Sequence, residues 1–450
     1  MKYKDIKKIF LDFFKKKNHK IIDSASLLAK DDPSLMFTNA GMNRFKKYFI
    51  GYKNPKYVRI TNIQKCLRIT GKHNDISDVG RDKYHHTMFE MLGNWSFGDY
   101  FKKEAIEWAW ELLTKTFKIR KSNIYVTIFS GNLNENLEFD KESYKYWKNL
   151  INENQIVFFD KKHNFWEMGN TGPCGYSSEI HIDLREKQKI EGKKLINKGH
   201  PLVIELWNLV FIEFVRTQNG NLEKLSKYHV DTGMGIERLC MVLQNKKSTY
   251  DTDIFISLIK EIENITGKVY GKLEEEDIAI RVLADHIRAI VFAIKDGIIP
   301  SNKKSGYIIR KLLRRTIVYY FLYLNIKKSC LYKLVKVVLS EKKNENSKIK
   351  ENFISNLIKK EELLFFKNLF KVSKKFYKII SSLKKEGKTI INGKIIFELY
   401  DTYGLPFELA NLFALKNNFI IDKFSFEEEM LKQKLRSKTN KKNINKNIYV

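Results

Sequence analysis

Arg68 and Phe89 bracket a segment rich in charge. Before it, Ile63, Leu67 and Ile69 alternate with Asn62, Gln64, Cys66 and Arg68, the period of two that a strand requires. A loop from about Thr70 to Tyr84 then carries Lys72, His73, Asp75, Asp78, Arg81 and Lys83, and Phe89 lies on the strand expected beyond it. An arginine entering such a loop and an aromatic leaving it suit a nucleotide, with guanidinium on phosphate and ring on base. Taken alone, the same residues also describe a polar hairpin with an incidental arginine. A Walker loop around Gly71-Lys72 fails, because Cys66 and His73 stand where a glycine and a Ser or Thr are needed. A metal site at His85-His86 fails too, since neighbours on a strand point to opposite faces.

A second element pairs opposite charges. "YHVDTGMGIERLCMVLQ", 228 to 244, reads as strand, tight glycine turn and helix, with Ile236, Leu239, Cys240 and Leu243 on one buried helical face. Gly233 and Gly235 allow close approach of backbone and ligand. Asp231 at the strand end and Arg238 at the helix start would suit a zwitterion joined to a phosphate. In "NFWEMGNTGPCGYSSEIHID" Trp166 precedes a glycine-rich bend, and in "LWNLVFIEF" Asn208 interrupts an apolar strand. A buried amide there demands partners, either core hydrogen bonds or a small polar substrate.

These residues need a scaffold. At 450 residues, 43% apolar and 13% aromatic, the chain can bury two or three cores. Strand candidates are "KYVRITNIQKCLRI", "SNIYVTIF", "SEIHID" and "LVIELWNLVFIEFVR"; from about 250 onward the pattern is largely helical. In "DIAIRVLADHIRAIVFAIKDG", Val282, Leu283, Ile287, Ile290, Val291 and Ile294 form one stripe, with Gly297 as the cap. The spacing divides the chain into 1–245, a mixed strand and helix domain, 246–431, a helical one, and 432–450, a polar tail expected to fray. Four scattered cysteines fit neither a disulfide framework nor zinc. No apolar run reaches membrane-spanning length and the N-terminus lacks a signal peptide's apolar core, so a cytoplasmic protein with no membrane partner is expected. The net charge of +31 points to a polyanion, although a drift towards AT-rich codons shares that explanation about equally. Residues 301 to 315 exceed the drift, with six Lys or Arg in fifteen against 83 in 450. Arg310 and Arg314 share a helix face there.

Eight blocks, among them "LMFTNAGMNRFKKYFIG", "QKCLRITGKHNDISDVGRDKYHHTMFEMLGNWSFGDYF", "NFWEMGNTGPCG", "ELWNLVF", "VDTGMGIERL", "ADHIRAIVFAIKDGIIPSN", "GYIIRKLLRR" and "LYDTYGLPFEL", resemble in order the blocks of the alanyl-tRNA synthetase family. The resemblance implies an α+β fold: a class II synthetase antiparallel sheet flanked by helices, then an all-α tRNA-recognition domain. It implies ATP-dependent formation of alanyl-adenylate, with magnesium, and transfer of alanine to the terminal ribose of tRNA(Ala). Arg68 falls on the ATP α-phosphate, with Phe89 and Arg238 on either side of the adenine and both arginines catalytic; Lys72, Asp75 and Gly235 lie in the ATP site. Met42, Trp166, Asn208 and Val210 line the aminoacyl pocket, and Asp231 pairs with the substrate ammonium. Asn302 and Asp401 straddle the G·U wobble pair of the acceptor stem, with Arg310 and Arg314 facing its phosphates.

Departures from the family pattern are Ile69-Thr70 before Gly-Lys, Asn170 in place of Asp, and Tyr176-Ser177 in place of Pro-Cys. The family's editing domain carries an H-x-x-x-H and a zinc site; the sequence holds no H-x-x-x-H. The expectation is therefore the catalytic and tRNA-recognition part alone, without editing activity or protein-bound zinc. A non-catalytic tRNA-binding paralogue is the alternative, and it has no use for Arg68, Asp231 or Arg238.

Overall fold

The computed structural model describes every residue except 30–34, 71–72, 187–190, 340–344 and 447–450. Two units, Met1–Ile309 and Arg310–Val450, hold separate cores. The first runs beyond position 245 because the helix Glu274–Lys295 is buried within it.

The first unit contains strands β1 (Lys20–Ile21), β2 (Arg59–Leu67), β3 (Ile69–Thr70), β4 (His73–Asn74), β5 (Met88–Phe97), β6 (Ile124–Phe129), β7 (Ile156–Phe159), β8 (Phe165–Glu167), β9 (Gly172–Asp183), β10 (Val203–Arg216) and β11 (Leu222–Gly235). All but β3 and β4, which pair with each other, form one sheet in the order β1-β2-β5-β11-β10-β9-β6-β7, with β8 on β9. Its middle is antiparallel, as the resemblance implies, but both edge pairs, β1–β2 and β6–β7, are parallel. The sheet is therefore mixed.

Period-two alternation sorts β10 between the two faces. Trp207, Leu209 and Phe211 enter the larger core, with Ile6, Phe10 and Phe14 of the helix Tyr3–Lys16 and Ala105, Ile106 and Ala109 of the helix Lys102–Glu111. Val210 and Ile212 enter the opposite core with Met42, Phe45, Phe49 and Trp95. Asn208 lies between Trp207 and Leu209, on the Val210 face, which is where a substrate can reach it.

The helix Glu274–Lys295 carries the expected apolar stripe, yet Arg281, Asp285, His286 and Arg288 are buried as well. These polar groups tie the helix to the segment leading into β5. Arg281 Nε donates to Gly80 O at 2.7 Å. Asp285 accepts from the Thr87 N–H at 3.0 Å and lies 3.0 Å from His86 Nδ1 and 2.9 Å from His286 Nδ1. The partners hold its carboxyl below the usual range against the opposing pull of burial. His85 and His86 precede β5 rather than lying on it: His85 pairs with Asp82, and His86 Nε2 reaches Thr249 Oγ1 at 2.8 Å.

The second unit holds most of the helix Lys304–Tyr323 and the helices Glu345–Lys385, Gly393–Tyr403, Phe407–Leu415 and Lys423–Lys446. The last extends through positions expected to fray. Strands β12 (Ile390–Ile391) and β13 (Ile420–Ile421) pair in parallel, so the unit is not all-α. Its buried Glu362 accepts from Tyr320 Oη at 2.9 Å and from the N–H groups of Cys330 and Leu331 at 3.0 and 3.1 Å. Among the described residues, no helix is long and apolar enough to cross a membrane.

Asp285→Ala should leave a buried backbone N–H without its acceptor and loosen the join between this helix and β5. The expected loss of unfolding free energy is about 3 kcal/mol or more, measured by urea denaturation; a loss below about 0.5 kcal/mol would show that the join carries little.

Candidate active site

A cavity of about 260 Å³ opens on the face of the sheet that carries Asn208 and Val210. Arg68, Asp75, Phe89, Trp166, Asn208, Val210, Asp231, Gly235 and Arg238 all line it. Residues from six separate stretches of the chain thus meet in one place. Lys72 lies outside the described residues. Met42 sits one layer behind the wall, fully buried with Val210 and Trp95. Asn302 belongs to the first unit, while Arg310, Arg314 and Asp401 belong to the second; none of the four lines the cavity.

The hairpin of β2 and β5 sets one end. Cys66 pairs with Phe89 and Leu67 with Met88, and the Arg68 N–H continues the ladder to Thr87 O at 2.9 Å. Arg68 then donates from Nε to Asn39 O at 3.1 Å, with its guanidinium carbon 5.0 Å from the Phe89 ring centre. The Asp75 N–H returns to Arg68 O at 3.3 Å. Opposite them, β11 runs directly into the helix Ile236–Leu243 without the tight turn expected at the glycines. Gly235 caps that helix with φ −68° and ψ 118°, an ordinary backbone conformation. Gly233 serves packing instead, since a Cβ there would lie 2.8 Å from Met91 Sδ. Arg238 is held by Glu205 O, accepting from Nη1 at 2.7 Å, and its guanidinium carbon lies 5.1 Å from the Tyr84 ring centre. Each arginine therefore packs against an aromatic ring and is anchored by a carbonyl.

The other end is a buried carboxylate. Asp231 is 8% exposed and accepts from Trp95 Nε1 at 2.6 Å. Burial pushes its carboxyl up to about 7, against the lowering effect of the indole bond. Beside it, Asn208 Nδ2 approaches Glu205 Oε1 at 3.4 Å, and Asn208 Oδ1 is buried with no partner among the described residues. A group bearing N–H donors and positive charge would satisfy both Asp231 and Asn208.

Tyr84, Glu205, Met91 and Trp95 were not singled out by the sequence, although the first three line the cavity and Trp95 anchors Asp231. Trp95 did leave a signal: Gly93 precedes it by two positions, and a Cβ there would fall 2.2 Å from the indole ring. The bare glycine is what lets the ring lie flat and reach Asp231. Among the described residues no group of three or more His, Cys, Asp or Glu side chains could hold a metal ion.

A family model described as tRNA synthetases class II (A) matches residues 5–449. The alanine–tRNA ligase of Cytophaga hutchinsonii is 52% identical over 439 residues, covering 96% of this chain and 50% of that protein. That of Christiangramia forsetii is 52% identical over 445 residues, covering 97% and 51%. For Bacteroides fragilis the identity is 49% over 440 residues, covering 97% and 50%. The chain spans about half the length of the curated relatives it matches.

The Asp231 carboxyl has a testable cost. Its folded value of about 7 lies above the ordinary 3.8, so its favourable contribution holds below about pH 4 and is lost as pH rises through 7. Above that, burying the charge costs on the order of 4 kcal/mol. Asp231→Asn keeps an acceptor for Trp95 and removes the titration. It should therefore stabilise the ligand-free protein at pH 8 and have little effect at pH 4. Equal effects at both pH values in denaturant titrations would refute the buried-charge account.

Proposed function

Since this chain belongs to the class II (A) tRNA synthetases, we propose that its cavity joins alanine to ATP and delivers the alanyl group to tRNA(Ala). The observation that carries this reading is the arrangement of charge: a buried carboxylate at one end of the cavity and two ring-packed guanidinium groups at the other. Alanine places its ammonium against Asp231 and Asn208, with Trp166 and Val210 bounding its methyl group. ATP places its adenine between Phe89 and Arg238 and its α-phosphate towards Arg68, with Gly235 leaving room at the wall.

The alanine carboxylate oxygen attacks the α-phosphorus, and the bond to the bridging oxygen of pyrophosphate breaks. Negative charge grows on the α-phosphate oxygens as this happens, and Arg68 is placed to offset it. No side chain forms a bond to substrate, so positioning and charge do the catalysis. Asp75 and Glu205 are the partly exposed carboxylates of the wall, a hard-oxygen set that suits magnesium. Magnesium brought with ATP would neutralise phosphate charge there. The terminal ribose hydroxyl of tRNA then attacks the acyl carbon, and AMP leaves.

The second unit supplies the RNA end of the proposal. Asp401 is exposed on the helix Gly393–Tyr403 and accepts from Gln433 Nε2; Asn302 is exposed in the first unit. By the family resemblance each is assigned to the minor groove at the G·U pair, where side chains can reach base edges. Arg310 donates two bonds to Glu361, at 2.9 and 2.6 Å. A phosphate meeting Arg310 therefore meets a guanidinium already shared with a carboxylate. Arg314 packs its guanidinium carbon 5.5 Å from the Phe365 ring centre.

Two experiments test the reading. Arg68→Ala should slow alanine-dependent pyrophosphate exchange by roughly a hundredfold or more, and Arg68→Lys should recover little, because lysine lacks the two-pronged donor. Near-normal exchange would remove Arg68 from the mechanism. Asn302→Ala or Asp401→Ala should reduce aminoacylation while leaving exchange intact. Replacing G·U by G·C should then harm the wild type more than either variant; equal harm would place the readout elsewhere.

A further inference from the structure

The two residues assigned to the adenine, Phe89 and Arg238, are joined through a buried ion pair, Arg288–Glu237, of which Glu237 reaches the cavity wall and Arg288 does not. Arg288 lies on the helix Glu274–Lys295, 7% exposed. Its Nη1 donates to Met88 O at 3.1 Å and lies 2.8 Å from Glu237 Oε1. Glu237, 1% exposed, in turn accepts from the Glu90 N–H at 3.2 and 3.3 Å. Phe89 therefore sits between two residues whose backbones this pair grips, and Arg238 is the next residue after Glu237.

The reason lies at the end of the sheet. Register between β11 and β5 stops at Gly235 opposite Met91, because β11 has become a helix. Met88 and Glu90 share the edge that β11 no longer covers, since backbone groups two apart in a strand point the same way. Arg288 meets the carbonyl of one and Glu237 the N–H of the other, so two side chains replace the missing strand. Glu90 extends the arrangement, lying 3.9 Å from Arg288 Nη2 and accepting from Lys7 Nζ at 2.8 Å and from Tyr3 Oη. The Arg288 guanidinium carbon also lies 5.4 Å from the Phe255 ring centre, which fixes the plane of its fork.

We propose that the Arg288–Glu237 pair is the positioning device for ATP, setting the gap between Phe89 and Arg238 that the adenine enters. This rests on the adenylate-forming reading above. Arg288 touches no substrate and does not line the cavity; it acts through the backbone of β5 and the start of the helix Ile236–Leu243. Alanine is held at the far end by Asp231, whose β11 neighbours remain in register with β5. The pair should accordingly govern one substrate and spare the other.

The test is Arg288→Lys, which keeps a positive charge for Glu237 but cannot also hold the Met88 carbonyl as a fixed fork. Initial rates of pyrophosphate exchange give KM for ATP and for alanine separately. KM for ATP should rise roughly tenfold or more, the change that losing about 1.4 kcal/mol of binding brings, with KM for alanine changed by less than about twofold. A general loosening of the fold would raise both together or lower kcat alone, and either result overturns the proposal, as does an unchanged KM for ATP. If Arg288→Lys does not yield soluble protein, Arg288→Gln carries the same test away from the cavity wall: its amide can still donate to the Met88 carbonyl while the ion pair with Glu237 is gone. Failure of the wild type to exchange pyrophosphate with alanine would instead refute the activity on which the proposal rests.

Discussion

A strand that outruns its neighbour leaves backbone donors and acceptors facing the core, and each must find a partner there. The end of β5 is in that position, and the helix Glu274–Lys295 meets the need. Asp285 takes the Thr87 N–H and Arg288 the Met88 carbonyl, three positions apart and so on one helix face. Glu237 takes the Glu90 N–H. Thr87 in turn accepts from the backbone of Arg68. The placement of Arg68, Phe89 and Arg238 thus follows from satisfying a few backbone groups at one sheet edge.

Charge is handled differently on the two sides of the sheet. Away from the cavity, buried Lys102 is surrounded by Asp140 at 2.9 Å, Glu213 at 3.0 Å and Glu142 at 3.3 Å, and this company more than offsets its desolvation, so its pKa is raised. Among the described residues no cation lies beside Asp231, only the indole N–H. A lone carboxylate in a dry wall destabilises the free protein and is relieved by a ligand that brings its own positive charge. That asymmetry distinguishes a receptive group from a structural one.

The alternation of Ile63, Leu67 and Ile69 with polar neighbours was enough to place β2 and to set Arg68 opposite the strand of Phe89. The spacing from Asp231 to Arg238 likewise survives intact in the cavity. Other features left no periodic trace. The "DTGMG" glycines read as a turn but continue a strand, because Gly233 answers to the volume of Met91 and not to backbone curvature. The apolar stripe of the helix Glu274–Lys295 was legible, but the burial of its polar residues was not, since their partners lie some two hundred residues away. Tyr84 and Glu205 acquire meaning only beside Arg238, a contact that no local pattern records. Strands of two residues, such as β12 and β13, are too short to show any period, which is why the second unit read as wholly helical.

The join between β5 and the helix Glu274–Lys295 also fixes an order of events during synthesis. Thr87 and Asp285 are 198 residues apart, Met88 and Arg288 200. At about 5–20 residues per second, the later partner leaves the ribosome about 10–40 s after the earlier one. Through that interval the polypeptide carrying Arg68 and Phe89 is already made, but the edge of its strand has nothing to close it, and contacts of such separation are slow to form. An open edge of this kind is a template for intermolecular pairing. The Arg68 end of the cavity is translated early and completed late, and through the gap its strand edge stays open to pairing with other chains.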